Sequence, residues 1–356
     1  THASLCLMNT YFDTIIAGAG LAGASAALSL ARSGQSVCIL DKSEFASGAS
    51  GSGLGLVSPM MSRKGRPVWS VREALDRLGR KDTGLLRPAA SLDQAAYFQE
   101  SSLQNPDLGA FVGAHEARDR FPYVIAPFGL VHVLRGYAVD LGSLTKLWID
   151  ESVELGSTAL ENVAVQSWVE TSERVTVSLS DGNTLEAGRL LLATGPDLVH
   201  HPETRDLNLH PIKGQRLRLK KPDGWYASIL PLSGSGFVMD EGPTLSIGAT
   251  FEHEWAEEGP TEEGRSELLK QAAEMIPDVH RMDVIEHYAG IRVTVPGTRM
   301  PMIGPLPNHL YTWVFTGLGS KGVLMAALLG MKIPDFFNDL TKIPANCRVT
   351  IRGVKA

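Results

Sequence analysis

The segment "GAGLAG" places Gly18, Gly20 and Gly23 in a G-x-G-x-x-G spacing, and Asp41 closes the apolar run that follows the next helical stretch. That pattern predicts a cradle for a dinucleotide. Gly18 permits a tight turn, Gly20 lets backbone approach a pyrophosphate, and Gly23 lets a helix pack closely on a strand. Ala19, Leu21 and Ala22 lie between them at a helix N-terminus, where unpaired N–H groups favour an anion. Asp41 suits a ribose hydroxyl, which needs an acceptor at the end of the second strand.

Such a cradle requires a β-α-β unit, and residues 13–42, "DTIIAGAGLAGASAALSLARSGQSVCILDK", read as one. A buried strand over 14–17, a turn at 18–23, a helix over 21–33 stopped by Gly34 and a strand over 36–40 follow in order. The crossover helix makes the two strands parallel. Downstream, the patterns predict a helix over 66–80, an irregular connection over 116–124, a strand-like stretch over 129–140 and a helix over 144–155. A β-rich run over 162–193 turns at Asp181-Gly182. A second β-rich run over 216–251 precedes a helix over 261–276 and strands over 284–295 and 311–315. A glycine turn over 317–322 then opens a helix at Val323. Nucleotide-type elements at both ends predict an α/β chain with a Rossmann-like doubly wound domain from 11–85, 141–210 and 296–340. An inserted α+β substrate domain from 86–140 and 211–295, with a mixed or antiparallel sheet, completes the expected fold.

The chain has 356 residues, 44% hydrophobic and 20% charged, enough for two domains with real cores. A net charge of −6 argues against a surface built for nucleic acid. Cys6, Cys38 and Cys347 are too scattered for a disulfide framework or a metal, which points to a reducing cytoplasm. The N-terminal stretch lacks the pattern of a secretory signal. The longest apolar helix candidate, 323–333, falls short of the roughly 20 residues that span a bilayer. His200, His201, His253 and His287 have no metal spacing, and Ser50, Ser52 and Ser58 come without a nucleophile elbow.

Two further stretches separate the nucleotide classes. "FASGASGSGLG" after Asp41 and "LLLATGP" over 190–196 resemble the places where flavoproteins bring backbone against their cofactor, and the chain resembles the FAD-dependent amine and amino-acid oxidases from Tyr11 to about Asp339. That group includes glycine oxidase, sarcosine oxidase and D-amino-acid oxidase. "GYAVDLGSLTKLW", "PIKGQRLRL", "LSIGATFEHEW" and "YAGIRVTVPGTRMPMIGPLP" are similar to the family's other signature stretches. The sequence departs from them at Leu141, where proline is usual, at Val293, and at 297–299, where a family aspartate is missing.

The resemblance implies FAD held by Gly18, Ala19, Gly20, Leu21, Ala22, Gly23, Asp41, Lys42, Gly48, Ala49, Ser50, Val165, Thr194, Gly195 and Pro196. Gly319, Ser320, Lys321, Gly322 and Val323 would wrap the isoalloxazine, with the positive end of the following helix at its N1–C2=O edge. The cysteines lie away from the family's attachment position, so the implied FAD is non-covalent. Arg292 would hold a substrate carboxylate and Phe237 would wall the pocket. The implied reaction is oxidation of a C–N bond in an amine or amino acid, by hydride transfer to flavin N5 and hydrolysis of the imine, with the substrate between the domains. The acceptor would be O2 or another oxidant, because Ser246 stands where sarcosine oxidases carry a lysine. "GASGSGLGLVSP" and "GLGSKGVLMAALL" are also similar to the oxidase domain of the bifunctional enzyme that trims carboxymethylaminomethyl groups on tRNA wobble uridine. That activity, and a flavin dehydrogenase serving a partner, are the alternatives.

Overall fold

The computed structural model describes residues 10–79 and 83–353. The chain divides into two compact units. One holds the residues up to Gly51, Leu141–Pro211 and Arg292 onward; the other holds Ser52–Asp140 and Ile212–Ile291.

In the first unit, strand Tyr11–Ala17 lies at the centre of a sheet, parallel to Val37–Leu40 on one side and to Thr184–Leu192 on the other. Thr158–Leu160 extends the parallel set beyond Val37–Leu40, and Thr312–Thr316 pairs in parallel with Thr184–Leu192. Val175–Leu179, Val165–Glu170 and Met302–Pro305 add antiparallel strands. The inner strands read "TIIA", "VCIL" and "RLLL" because both of their faces are covered.

Helix Leu21–Arg32 is buried along nearly its whole length. It packs against helix Leu141–Glu154 and against the C-terminal helix Gly322–Leu329. Small residues make the second contact possible. The Ser29 hydroxyl donates to the Gly330 carbonyl oxygen at 2.7 Å, and any Cβ on Gly330 would overlap the Ser25 hydroxyl.

The second unit is built on an eight-stranded mixed sheet. Its order is Asp283–Thr294, His210–Lys220, Thr244–Gly248, Phe237–Asp240, Leu232–Ser233, Leu85–Pro88, Leu130–Val133, Gly109–Val112. Helix Glu262–Ala273, capped by the Thr261 hydroxyl accepting from Gly264 N, buries Leu268 and Ala272 in this unit's core. Leu217, Leu219, Leu245 and Ile247 meet them from the sheet.

Three expectations need correction. The first domain boundary falls after Gly51 rather than at residue 85. Residues 54–57 pair with 137–140, and Leu85–Pro88 pairs with Leu130–Val133, so backbone hydrogen bonds assign 52–85 to the sheet unit. Alternation and spacing within the segment carry no trace of those partners. The expected irregular stretch 116–124 also begins inside a helix, Ala114–Arg120, entered from Gly113 with Glu116 in its first turn and Arg118 and Arg120 in its last. That charge order suits the helix dipole. The helix expected over 66–80 is shorter, Val71–Leu78, with strand Arg66–Pro67 before it.

Candidate cofactor cradle and substrate-unit site

The turn after strand Tyr11–Ala17 tolerates no side chain at Gly18 or Gly23 and is crowded at Gly20. Gly18 has φ +101°, and a Cβ there would stand 2.5 Å from the Ala193 carbonyl oxygen. On Gly23 a Cβ would overlap the Gly18 carbonyl oxygen, and on Gly20 it would lie 3.0 Å from the Ser50 hydroxyl. Gly20 is the helix N-cap and has no side chain to cap the first-turn amides. Those of Leu21, Ala22 and Gly23 have no acceptor within the helix. Ser50 takes one of them, accepting from Leu21 N at 3.0 Å.

Asp41 is a junction. Its carboxylate accepts from Ala19 N at 2.7 Å through Oδ2 and from Ser43 N at 3.0 Å through Oδ1. The loop after it is tied to the same turn, with Ala46 N donating to Ala19 O, and it ends in the short helix Ala49–Gly51, where Gly51 N donates to Gly48 O. Lys42 pairs with Asp197 at 2.7 Å in the short helix Gly195–Val199. Thr194, Gly195 and Pro196 open that helix, and Gly195 has φ +61°.

The residue beside Asp41 is Val163, which is buried and donates its N–H to the Asp41 carbonyl oxygen at 2.8 Å. Val165 lies two residues further on, in strand Val165–Glu170, paired with Leu179. Val163 and Ser43 were not singled out from sequence. The available signal is position: Val163 follows the strand Thr158–Leu160 that flanks the Asp41 strand.

The C-terminal glycine turn approaches the same place. Gly317 and Gly319 have φ +72° and +55°, Gly319–Lys321 forms a short 3-10 turn, and helix Gly322–Leu329 follows without a side-chain cap. A Cβ on Gly322 would be 3.5 Å from the Leu21 side chain, so two helix N-termini converge. Lys321 Nζ donates to the Arg299 carbonyl oxygen at 3.2 Å. Burial pushes its pKa below the ordinary lysine value, and the Arg299 charge adds to the effect.

These residues fit a dinucleotide with an anionic bridge. Uncapped first-turn amides, an acidic side chain fixed at the neighbouring strand end and a glycine at every close approach are what such a group requires.

In the sheet unit, Phe237 faces Gly248 across neighbouring strands, and a Cβ on Gly248 would overlap its ring. Arg216 is the other neighbour of Gly248. Its guanidinium lies 5.2 Å from the Tyr288 ring centroid, and Nη1 lies 3.4 Å from the hydroxyl of the fully buried Ser246. Arg292 follows Tyr288 by four positions on the strand Asp283–Thr294, and burial lowers its pKa. Arg216 and Tyr288 were not picked out from sequence, since an arginine in an alternating strand reads as a solvent-facing residue. No group of side chains suited to a metal occurs among the described residues.

The fold and cradle are those of a dinucleotide-binding protein, and the chain belongs to a class of flavin-dependent oxidoreductases, the DAO family, "FAD dependent oxidoreductase", whose model matches residues 13–334. Its relatives include glycine oxidase of Pseudomonas aeruginosa, 26% identical over 334 residues that cover 88% of this chain and 91% of that one. The tRNA 5-methylaminomethyl-2-thiouridine biosynthesis bifunctional protein of Idiomarina loihiensis is 28% identical over 342 residues, 89% of this chain, but the chain spans only about half, 54%, of that relative's length. The crystal structure of glycine oxidase from Geobacillus kaustophilus shares the fold, with a TM-score of 0.79 at 19% identity, covering 98% of this chain and all of that one. Among the described residues no helix is long and apolar enough to cross a membrane.

Proposed function

We propose that the protein oxidises a C–N bond of a small amine or amino acid carrying a carboxylate, with non-covalent FAD, in a reducing cytoplasm. The observation that carries the reading is the cradle of Gly18, Gly20, Gly23 and Asp41 in a chain of this FAD-dependent family. Gly18 to Gly23 and Ser50 would hold the pyrophosphate, Asp41 and Val163 the nucleoside end, and Gly319 to Val323 the ring end. FAD, when bound, supplies the electron-pair acceptor that converts the amine to an imine, which water hydrolyses.

The chain's own contribution is positioning. Arg292 gives a planar donor fork matched to a carboxylate, and Phe237, whose ring lies against Gly248, forms an apolar wall. No general base is required if the amine binds as its free base, so the rate should follow amine deprotonation. An anaerobic screen of glycine, N-methylglycine, D-amino acids and proline, read as bleaching of the flavin, tests the reaction. Arg292→Met should raise the KM for the carboxylate substrate and the Kd of a carboxylate inhibitor at least about tenfold; unchanged values would remove the anchor. Rapid reoxidation by O2 would identify an oxidase, and slow reoxidation with fast transfer to a dye a dehydrogenase.

The similarity to the bifunctional tRNA protein supports a second reading, in which the amine is a carboxymethylaminomethyl group on a wobble uridine. The free modified nucleoside in the same screen separates the two. The acidic balance of the chain favours the small substrate.

A further inference from the structure

The net charge of −6 is not spread evenly along the chain. No acidic residue occurs between Glu44 and Glu73, while Arg63, Lys64, Arg66 and Arg72 fall in that stretch. Arg72 pairs with Asp107 at 2.8 Å, and the nearby Arg77 and Arg135 pair with Glu73 and Asp76. Arg63, Lys64 and Arg66 are exposed and have no carboxylate partner among the described residues. They lie on a hairpin of the sheet unit, formed by Met60–Met61 and Arg66–Pro67 and closed by Val68 N donating to the Pro59 carbonyl oxygen at 2.8 Å.

The backbone of this hairpin is fixed. Arg87 donates from Nη1 and Nη2 to the Met60 and Ser62 carbonyl oxygens at 2.9 and 3.0 Å. From helix Leu92–Gln104, Gln94 Nε2 donates to the Arg63 carbonyl oxygen at 3.1 Å and the Ser101 hydroxyl to that of Gly65 at 2.8 Å. Gly65, with φ +63°, lies against the Phe98 ring of the same helix, where a Cβ would stand 2.8 Å from it. Lys64 rests over the Tyr97 ring, 4.7 Å from its centroid. Three like charges within four residues are thus held together on an ordered scaffold, which an anionic partner relieves at little cost in backbone ordering.

Beside them stands Trp69, with 40% of its surface exposed. Three residues of chain separate it from Arg66, a reach of at most about 10 Å. Cations for successive phosphates next to an open aromatic face are what a single-stranded nucleic acid engages, its unstacked bases lying on the ring. An acidic polypeptide would answer the cations and leave the indole without a role.

We propose that the hairpin over 60–67 and Trp69 form a docking surface for single-stranded or looped RNA, with Arg63, Lys64 and Arg66 on phosphates and Trp69 under a base. This deepens and rests on the second reading given above, in which the amine is carried by a uridine.

The test uses the FAD-loaded protein and a fluorescein-labelled oligouridine, read by anisotropy at rising salt. The logarithm of the binding constant should fall against the logarithm of salt with a slope of about −2, as three phosphate contacts on a single strand require. Replacing Arg63, Lys64 and Arg66 together by Gln should flatten that slope. Trp69→Ala should weaken binding at least about tenfold at every salt and keep the slope; Trp69→Phe, which retains a ring, should lose less and carries the test if the alanine variant does not fold. No binding at low salt, or a triple variant that binds like the parent, overturns the proposal. So does labelled polyglutamate bound as tightly as the oligouridine with Trp69→Ala changing neither, which would make this a surface for an acidic protein. Bleaching of the flavin by the free modified nucleoside without oligouridine binding overturns the docking surface alone. Oligouridine binding that depends on the basic residues and on Trp69 supports the docking surface, and absence of bleaching would then remove only the wobble-uridine reading.

Discussion

The carbonyl oxygen of Gly18 fills the space that a Cβ on Gly23 would need. Helix Leu21–Arg32 can therefore sit on the first strand only with glycine at its third position. Gly23→Ala must push the helix off the turn, with a cost of about 1–3 kcal/mol or more from overpacking against backbone. The variant should melt at lower temperature and purify with less FAD per polypeptide, as read by the ratio of flavin to protein absorbance. Parent-like values for both would show that the turn can relax.

Asp41 holds the amides of Ala19 and Ser43 with its two carboxylate oxygens. Asp41→Asn replaces one acceptor by a donor and sets N–H against N–H. Hydrogen bonds to charged groups are worth about 1.5–3 kcal/mol, so FAD affinity should fall by roughly tenfold or more, measured by fluorescence titration of the apoprotein. Unchanged affinity would leave Asp41 with a purely structural role.

Lys321 is half-buried beside the turn that precedes helix Gly322–Leu329. A positive charge at the ring end favours the reduced, more negative flavin. Lys321→Met should lower the flavin midpoint potential by on the order of 30 mV, which for a two-electron couple equals about 1.4 kcal/mol. A potential equal to the parent's would place the ammonium away from the ring.

Glu170 gathers donors from the strand entry opposite it. One carboxylate oxygen accepts from Leu310 N at 2.6 Å and Tyr311 N at 3.2 Å; the other accepts from Thr312 N and Oγ1 at 2.9 and 2.8 Å and lies 3.1 Å from His309 Nδ1. Burial by itself would raise its pKa, but these donors outweigh it and hold the carboxyl below the ordinary glutamate value. A depressed folded-state pKa gives stability that is complete above the unfolded value and is lost as pH falls through the folded one. Glu170→Gln should thus destabilise by about 1.5–3 kcal/mol at neutral pH, and the gap to the parent should close as pH drops below about 4. Denaturant melts at several pH values test this, and a gap independent of pH would contradict it.

Cys38 and Cys347 are both buried, and desolvation raises their thiol pKa values to about 12 and about 11. Neither is a thiolate nucleophile at neutral pH; Cys6 lies outside the described residues. Acid precipitation should leave the yellow chromophore in the supernatant, and colour retained in the pellet would mean a covalent link.

Sequence alone determined the cradle, because the physics there is local. A β-α-β unit with glycines at turn, N-cap and packing position is written within about thirty residues, and its strands and helix appear within a residue or two of their expected limits at Ala17, Leu21, Arg32 and Leu40. The long strand over 283–294 and the helix over 262–273 were legible for the same reason, through period and capping. Tertiary structure decided what depends on partners far along the chain. Residues 52–85 belong with the sheet unit because Leu54–Val57 finds Tyr137–Asp140, and no local signal names a strand's partner. Val163 rather than Val165 stands at Asp41 because the two meet only when Thr158–Leu160 joins the sheet. Arg216 looked like any solvent-facing arginine until folding set it between Gly53 and Tyr288 and gave the carboxylates of that sheet to its neighbours.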